Sequence, residues 1–401
     1  MKPFNWSAFL SGARKSDVVL ALLLFVIVDA AVGIGFALNQ KPLAFNYDVP
    51  FRSRTWYALT DLAQQKQTPD LVLLGASDMT CALYGAEATY QKKTVSQLTN
   101  HRSTYLESQL EKASAPYKST FCLAIPGEMP SDQYFMLRTL VSNKVKPKAL
   151  YCTMVPRNFV DATFKNPSTS DVYKNAARVN GVGIADEIAC RKKDVFSLFD
   201  WGLSRLSSVY GHAQTFKSIQ HHLVQSICRP GDSQFETVKM PVTMRKLALM
   251  DLPEDFAPTE VGQDPFDPNN NVFVDNLHEY RVRYSQFSPK IWAQQLDYFK
   301  RTCELAKAEG IDLVVGNSPL TAENLAMVPA DTYKRYLDQV SSTVRANGGV
   351  FVDLNLPGLF QHDDFFDSVH LNGKGGQKFL SYVADAMSSR SLAQSATQQT
   401  K

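Results

Sequence analysis

A serine near the start of the chain and an acid–histidine pair near its end have side chains that can carry out nucleophilic catalysis. Ser77 follows a short apolar run, whereas Asp367 and His370 lie three positions apart near the C-terminus. Residues at this spacing share one side of a helical turn, so that Asp367 can hold one imidazole nitrogen of His370. The other nitrogen is then available to take a proton from the Ser77 hydroxyl, as in serine-dependent acyl transfer.

Each of these residues also has a purely structural interpretation. Serine is common at helix N-caps, and an acid three positions before a histidine is often one half of a surface ion pair. The neighbouring residues His362, Asp363 and Asp364 are typical of a solvated loop, although one of these acids can replace Asp367 as the partner of His370. The elements that position these side chains therefore decide between the interpretations.

Apolar runs alternate with helical patterns along much of the chain. Five short apolar runs predict strands that are covered on both faces, at 71–75, 121–125, 149–155, 311–316 and 350–354. Helical patterns are found at 131–142, 289–309, 331–346 and 375–387. This alternation predicts an α/β fold, namely a flavodoxin-like three-layer α/β/α sandwich around a five-stranded parallel sheet.

In a parallel sheet of this kind, functional residues lie at the carboxyl ends of the strands. Ser77 follows the first strand, and Gly127 follows the second, where it either brings its backbone N–H to a ligand or forms a plain turn. Arg157 and Asn158 follow the third strand as candidate substrate contacts, although a salt-bridged structural arginine fits as well. Asn317 follows the fourth strand, where its amide either donates to an oxyanion or satisfies a turn. The acid–histidine pair comes after the fifth.

This order of residues resembles the GDSL/SGNH hydrolase superfamily. The resemblance covers about residues 70–390, with a long unmatched insertion. It implies that Ser77 is the nucleophile, that His370 is the general base and that Asp367 is its orienting partner.

The same resemblance implies an oxyanion hole formed by the backbone N–H groups of Ser77 and Gly127 and by the Asn317 side chain. Two motifs depart from the family pattern. The usual G-D-S is Gly-Ala-Ser at 75–77, and the usual G-x-N-D is shortened to Gly-Asn-Ser at 316–318. The second departure lies at Asn317, the third of these donors.

The overall plan of the chain is similar to that of the DltD-type D-alanyl transfer proteins and of the membrane-anchored SGNH proteins of polysaccharide O-acylation. The shared features are an N-terminal apolar segment, an early serine, a long insertion and a late D-x-x-H motif. The resemblance implies an acyltransferase or esterase that acts on a cell-surface polysaccharide or polymer with a membrane-bound O-acyltransferase partner. The alternatives are a simple membrane-anchored carboxylesterase and a catalytically inactive scaffold that binds polysaccharide.

The strand pattern also divides the chain into segments. We expect the catalytic domain at 39–156 and 287–390, interrupted by an insertion at 157–286. An irregular loop as long as this insertion is improbable, so we expect a mostly helical cap. The polar residues at 391–401 predict a flexible tail.

Residues 18–38 form an apolar run with one charge, Asp29, and are long enough to cross a bilayer as a helix. A secretory signal usually has a shorter apolar core, although a cleaved signal and a buried soluble helix remain alternatives. A carboxylate at mid-span is costly in lipid. Asp29 therefore indicates a partner helix, a water-facing position or protonation, unless the apolar helix simply tolerates it.

The basic residues next to this run indicate its orientation. Arg14 and Lys15 directly precede it, whereas only Lys41 is close on the other side. By the positive-inside rule, residues 1–17 form a cytoplasmic tip and the main domain is extracytoplasmic. The sequence thus predicts a single-pass protein of the cytoplasmic membrane.

Composition and the remaining motifs narrow the function further. The chain has 401 residues and a net charge of +3 with no pronounced basic run, so we expect no nucleic-acid partner. His221, His222 and Cys228 lack paired metal-ligand spacing, and we expect neither a metal site nor a cofactor. Cys228 and Cys190 are the best candidates for a disulfide because both lie in a polar region, whereas the other cysteines lie in apolar strand or helix patterns.

Overall fold

The fold is built around a five-stranded sheet in which all neighbouring strands are parallel, in the order β2-β1-β3-β4-β5. The strands are β1 (Leu71–Leu74), β2 (Thr120–Cys122), β3 (Ala149–Met154), β4 (Asp312–Asn317) and β5 (Val350–Asp353). The computed structural model describes residues 16–39, 53–163, 166–191, 195–213, 216, 220, 266–268 and 272–399. Each of the five predicted strands is present, and the prediction of an α/β fold with a five-stranded parallel sheet is confirmed.

Helices connect and flank the strands. In the N-terminal half they are α1 (Asp17–Asn39), α2 (Arg54–Gln64), α3 (Ser77–Gln91), α4 (Thr104–Lys112), α5 (Pro130–Ser142), α6 (Arg157–Val160), α7 (Asp171–Arg178), α8 (Ile184–Arg191), α9 (Val195–Leu206) and α10 (Ser208–Gly211). In the C-terminal half they are α11 (Leu277–Arg283), α12 (Pro289–Ala308), α13 (Ala322–Leu325), α14 (Ala330–Ala346) and α15 (Gly373–Gln399). The four helices predicted from periodicity correspond to α5, α12, α14 and α15.

The central strands form the core because their side chains are buried on both faces of the sheet. Every residue of β1 and β3 is buried. On one face, Leu71 and Leu73 pack in a cluster with Tyr84 of α3 and Phe379 of α15. A strand covered on both sides has no need of polar alternation, which explains the continuous apolar runs in the sequence.

The helix that follows the first strand and the last helix of the chain form a close pair. α15 packs along α3 and also contacts α4. Gly376 of α15 allows this approach, because a Cβ atom there would lie 2.2 Å from the Ala82 carbonyl oxygen. α15 continues to Gln399, so the stretch predicted as a flexible tail is helical over most of its length.

The chain divides into two compact units, and the insertion contributes to both. One unit comprises Met1–Pro50 and Glu187–Glu236, and the other comprises Phe51–Asp186 and Thr237–Lys401, including the whole sheet. The described part of 157–286 contains the helices α6 to α11. Residues 221–265 lie outside the described residues.

The unit that contains the N-terminal segment has one helix long and apolar enough to cross a membrane, at Asp17–Leu38. Most of the large apolar side chains of this helix are exposed. Asp29 accepts hydrogen bonds from Ser207, Ser208 and Val209 at the start of α10, so a short helix contacts this carboxylate, and a partner helix is one of the alternatives left open by the sequence.

The described cysteines are buried. Cys122 and Cys152 lie in β2 and β3, as predicted, and Cys81 and Cys303 lie in helices. Cys190 is buried in α8. Its predicted disulfide partner, Cys228, lies outside the described residues, as do His221 and His222.

Candidate active site

The structure brings together three of the residues singled out in the sequence. Ser77 Oγ lies 2.7 Å from His370 Nε2, and His370 Nδ1 lies 2.6 Å from Asp367 Oδ2. Asp367 and His370 are both buried, whereas Ser77 is partly accessible. The three side chains therefore form one hydrogen-bonded chain from a reachable hydroxyl to a buried carboxylate.

The turn between β1 and α3 presents the serine. Gly75 ends the strand, and a Cβ atom at this position would lie 2.0 Å from Thr153 Oγ1, so only glycine fits the close approach to β3. Ala76 is the N-cap of α3, and its carbonyl oxygen accepts hydrogen bonds from the N–H groups of Met79 and Thr80. Ser77 is thus the first helical residue and not the N-cap, and its hydroxyl is left for His370.

A tightly held loop presents the acid and the base. Asp367 Oδ1 accepts hydrogen bonds from the backbone N–H groups of Val369 and His370, at 2.8 and 2.7 Å. Between them, Ser368 donates its hydroxyl to Asn276 Oδ1 and accepts a hydrogen bond from Asn324 Nδ2. These bonds fix the backbone that leads into the histidine and so help the imidazole to keep its orientation.

The neighbouring acids that were possible alternatives have other partners. Asp363 Oδ2 pairs with Lys374 at 2.6 Å, and Asp364 Oδ2 pairs with Lys378 at 3.2 Å. Asp367 is the acid that contacts His370, and this pair is buried rather than a surface ion pair.

Two backbone N–H groups at the strand ends are free to stabilise an oxyanion. Within the described part of the chain, the N–H groups of Ser77 and Gly127 have no hydrogen-bond partner. Gly127 is exposed after β2, the neighbour of β1, and its φ of 87° is a conformation that favours glycine. No atom lies within 4 Å of the place where a Cβ would stand on Gly127, so a ligand can reach its backbone.

The expectation that Asn317 donates to the oxyanion needs correction. Asn317 is fully buried, and its Nδ2 donates to Tyr333 Oη at 3.0 Å and to Asp353 Oδ1 at 2.7 Å. Its Oδ1 accepts a hydrogen bond from Tyr336 Oη at 2.9 Å. Because both amide hydrogens are taken, the side chain joins β4 to β5 and α14 and has no donor left for substrate.

Arg157 and Asn158 also differ from their expected role as substrate contacts. Both are buried, and both donate to the carbonyl oxygen of Glu128 at 3.1 Å. Arg157 further pairs with Asp161 at 3.1 Å, which is the salt-bridged alternative considered for it. These residues brace the loop that carries Gly127, so they act on the candidate site through the backbone.

A buried acid behind the serine turn was not identified from the sequence. The N–H of Gly75 donates to Glu128 Oε2 at 3.3 Å, while Glu128 Oε1 is buried and unpaired. Burial raises the pKa of Glu128 well above its usual value, and the nearby Asp132 raises it further. Burial also raises the pKa of Asp132 to about 6. The acidic residue directly after Gly127 was visible in the sequence, but its burial depends on the strands around it.

Two further contacts support the site. Asp78, next to the serine, accepts a hydrogen bond of 2.6 Å from the Ser318 hydroxyl, which ties α3 to the end of β4. Phe366 stacks against the imidazole of His370 with ring centroids 5.5 Å apart. Asp78 directly follows Ser77 in the sequence, and Phe366 directly precedes Asp367.

Comparison with models of known protein families gives no match, and no curated protein matches the chain. Among the described residues, no group of three or more His, Cys, Asp or Glu side chains is arranged to hold a metal ion. The geometry around Ser77 is therefore the feature of this chain that bears on its chemistry.

Proposed function

We propose that the protein is a membrane-anchored serine acyltransferase or esterase that uses Ser77, His370 and Asp367. The observation that carries the proposal is the pair of contacts of 2.7 and 2.6 Å that link the serine hydroxyl, the imidazole and the carboxylate. Distances of this size allow proton transfer without rearrangement. The partly accessible serine and the two buried partners have the order that nucleophilic catalysis requires.

Acyl transfer takes place in two balanced steps. Ser77 Oγ attacks the acyl carbon while its proton passes to His370 Nε2, and the bond to the leaving alcohol breaks as that alcohol takes the proton. An acceptor hydroxyl then attacks the acyl-enzyme, again gives its proton to His370, and Ser77 Oγ recovers a proton on leaving. Asp367 stabilises the imidazolium that forms in each step. The N–H groups of Ser77 and Gly127 receive the negative oxygen of the tetrahedral intermediates.

The proposed fold is an SGNH-type three-layer α/β/α sandwich with an inserted helical segment. Its support is the parallel sheet with strands buried on both faces and the position of Ser77, Gly127 and the acid–histidine pair after the first, second and last strands. The occupied amide of Asn317 leaves two backbone donors for the oxyanion in this scheme.

The proposed substrate is an acyl group of a cell-surface polysaccharide or other polymer, with a membrane-bound O-acyltransferase as the partner. The support is the resemblance in plan together with α1, which we propose crosses the cytoplasmic membrane with its N-terminus inside and the main domain outside. An anchor of this kind keeps the serine beside lipid-linked or membrane-delivered acyl donors. A simple esterase uses water as the acceptor in the same two steps.

Covalent labelling tests the catalytic proposal. Purified full-length protein treated with a serine-reactive fluorophosphonate is expected to gain one label, and peptide mapping is expected to place it on Ser77. Ser77→Ala should lose the label and reduce hydrolysis of a simple acetyl ester by roughly 10⁴-fold or more. Ser342→Ala, on the exposed part of α14, is the matched control and should retain both. Unchanged ester hydrolysis by Ser77→Ala would contradict the proposal, and absence of labelling would favour the inactive scaffold.

Product analysis separates the transferase from the simple esterase. The wild-type protein is incubated with an acyl donor and a series of oligosaccharides, and acylated sugar is measured against free acid. Formation of acylated sugar supports transfer, whereas free acid alone at every sugar concentration shows that water is the acceptor.

A further inference from the structure

Part of the insertion packs against the helix that is long enough to cross a membrane. Asp29 of α1 accepts hydrogen bonds from Ser207 Oγ at 2.7 Å, from the Ser208 N–H at 3.0 Å and from the Val209 N–H at 2.8 Å. All these residues belong to the same compact unit. The one carboxylate within the apolar run is therefore bound by the backbone at the start of α10.

The contact continues along one side of α1. Asp29, Val32, Gly33 and Phe36 are partly covered, and their spacing puts them on one helix face. A Cβ atom on Gly33 would lie 2.5 Å from Ser208 Oγ, so glycine lets the two segments meet. The Phe36 ring also stacks on His212 and meets Phe216 edge-on, with centroids 3.8 and 6.0 Å apart.

The position of Asp29 along α1 defines the depth of this contact. A helix rises about 1.5 Å per residue, so Asp29 lies about 18 Å from Asp17 and about 15 Å from Asn39. The hydrocarbon core of a bilayer is about 30 Å thick. If α1 crosses it, then Asp29 and the start of α10 both lie close to the middle of the membrane.

The direction of the chain shows how it leaves this depth. Ser208 lies at Gly33, whereas His212 and Phe216 lie at Phe36, one turn nearer the C-terminal end of α1. The chain after α10 thus runs back towards the end of α1 that leads to the catalytic domain in the sequence. The preceding α9 has 12 residues and is about 18 Å long, enough to cover the distance of about 15 Å from that end to Asp29.

α9 carries an apolar surface that suits lipid. Val195, Phe196, Phe199 and Leu206 are 75%, 86%, 65% and 84% exposed. Exposed apolar residues of this size in one short helix are unfavourable in water and mark a contact surface. Continuity with α1 indicates that acyl chains of the bilayer are what covers it.

Several polar side chains of this segment have partners within the unit, which lowers the cost of a location in lipid. Glu187 accepts hydrogen bonds from the Trp201 indole N–H and from Arg205, whose Nη2 is 2.8 Å from Glu187 Oε1. Asp200 accepts a hydrogen bond from the Tyr210 hydroxyl. Arg205 of α9 is therefore paired with an acid and Asp200 has a hydroxyl donor, while Val195, Phe199 and Leu206 are exposed.

We infer that residues 195–213 form a re-entrant membrane element, whose apex at Ser207–Val209 is held at mid-depth by Asp29. α9 descends through one leaflet with its apolar side chains in contact with acyl chains, and α10 and the following residues return along α1. The inference rests on the proposed membrane anchoring by α1 and is independent of the chemistry at Ser77.

Depth-dependent fluorescence quenching tests the inference. Full-length protein in nanodiscs of phosphatidylcholine and phosphatidylglycerol carries one nitrobenzoxadiazole label on Leu206→Cys or Val195→Cys, in a Cys228→Ser background. The Leu206→Cys label should be quenched by doxyl groups near the acyl-chain terminus, and the Val195→Cys label by doxyl groups near the headgroup. Tyr90→Cys on α3 is the control for the exposed surface and should be quenched only by aqueous iodide.

Two comparisons make the result decisive. A label on Leu22→Cys in α1 reports the anchor: if lipid quenches it while iodide quenches Leu206→Cys, the re-entrant element is wrong and the anchor stands. If iodide quenches both, the anchor is wrong as well. Asp29→Leu should move the Leu206→Cys label towards the surface, whereas Ala30→Leu, on the exposed side of α1, should not. Circular dichroism of each variant reports that the protein is folded, whatever the chemistry at Ser77.

Discussion

At the scale of single residues, the backbone conformation of Gly127 sets the position of an N–H group that we assign to the oxyanion hole. Its φ of 87° is unfavourable for a residue with a Cβ, so Gly127→Ala shifts the N–H that we assign to the oxyanion. We expect kcat to fall by about 10²-fold or more, the loss that follows removal of one oxyanion donor. Gly358→Ala is the matched control, because Gly358 has a φ of 79° and equally open surroundings. Equal losses of activity in the two variants would remove Gly127 from the site.

For Asn317 we expect the reverse of the effect at Gly127: a loss of stability with little loss of catalytic rate. Asn317→Ala leaves Tyr336 and Asp353 without their buried partner, so the free energy of unfolding should fall by about 1–3 kcal/mol. Since the amide has no donor left for substrate, the kcat of the folded fraction should stay within a few-fold of wild type. Chemical unfolding and active-site titration with the fluorophosphonate measure the two effects separately. A large loss of kcat at unchanged stability would restore Asn317 to the oxyanion hole.

At the scale of elements, the first turn of α5 contains a buried acid, Asp132, that makes the stability of the fold depend on pH. Asp132 accepts hydrogen bonds from the Met129 N–H and the Ser170 hydroxyl, and burial raises its pKa to about 6. The folded state therefore holds this proton more tightly than the unfolded state does. Asp132 therefore contributes on the order of 3 kcal/mol of stability below about pH 4, and this contribution is lost as the pH rises from about 4 through about 6.

Asp132→Asn tests this dependence. Unfolding of the full-length protein in detergent is followed by circular dichroism at pH 4, 5, 6 and 7, and the variant should show a smaller loss than wild type. Asp331→Asn, in the exposed first turn of α14, is the control and should follow the wild-type curve. An unchanged slope in Asp132→Asn would assign the effect to other groups, with Glu128 as the next candidate.

The same scale shows what a sequence can and cannot predict. β1 and β3 were recognisable because burial on both faces leaves an unbroken apolar run, and Ser77 was recognisable because it directly follows β1. The partners of Asn317 were not, because Tyr333, Tyr336 and Asp353 reach it only through the packing of α14 and β5. The role of Arg157 was not predictable for the same reason, because its contact with the Glu128 carbonyl oxygen joins two elements that are distant in the sequence.

At the scale of the whole molecule, the orientation in the membrane is open to a direct measurement. Tyr90→Cys in a Cys228→Ser background gives one exposed thiol on the sheet-containing unit, since the described cysteines are buried. A membrane-impermeant maleimide should label it in spheroplasts, because we expect this unit outside the cytoplasmic membrane. Labelling that occurs only after the membrane is disrupted would place the unit in the cytoplasm.

The hydrogen bond between Ser77 and His370 joins positions 293 residues apart. During synthesis, Ser77 leaves the ribosome long before His370 is made, and His370 comes only after the last strand. Contacts between positions this far apart form slowly, because the chain loses the entropy of loop closure before it gains the contact. A nascent or C-terminally truncated chain thus holds Ser77 without its imidazole partner, so that, in the mechanism we propose, α1 can reach the membrane before any acyl group can be cleaved.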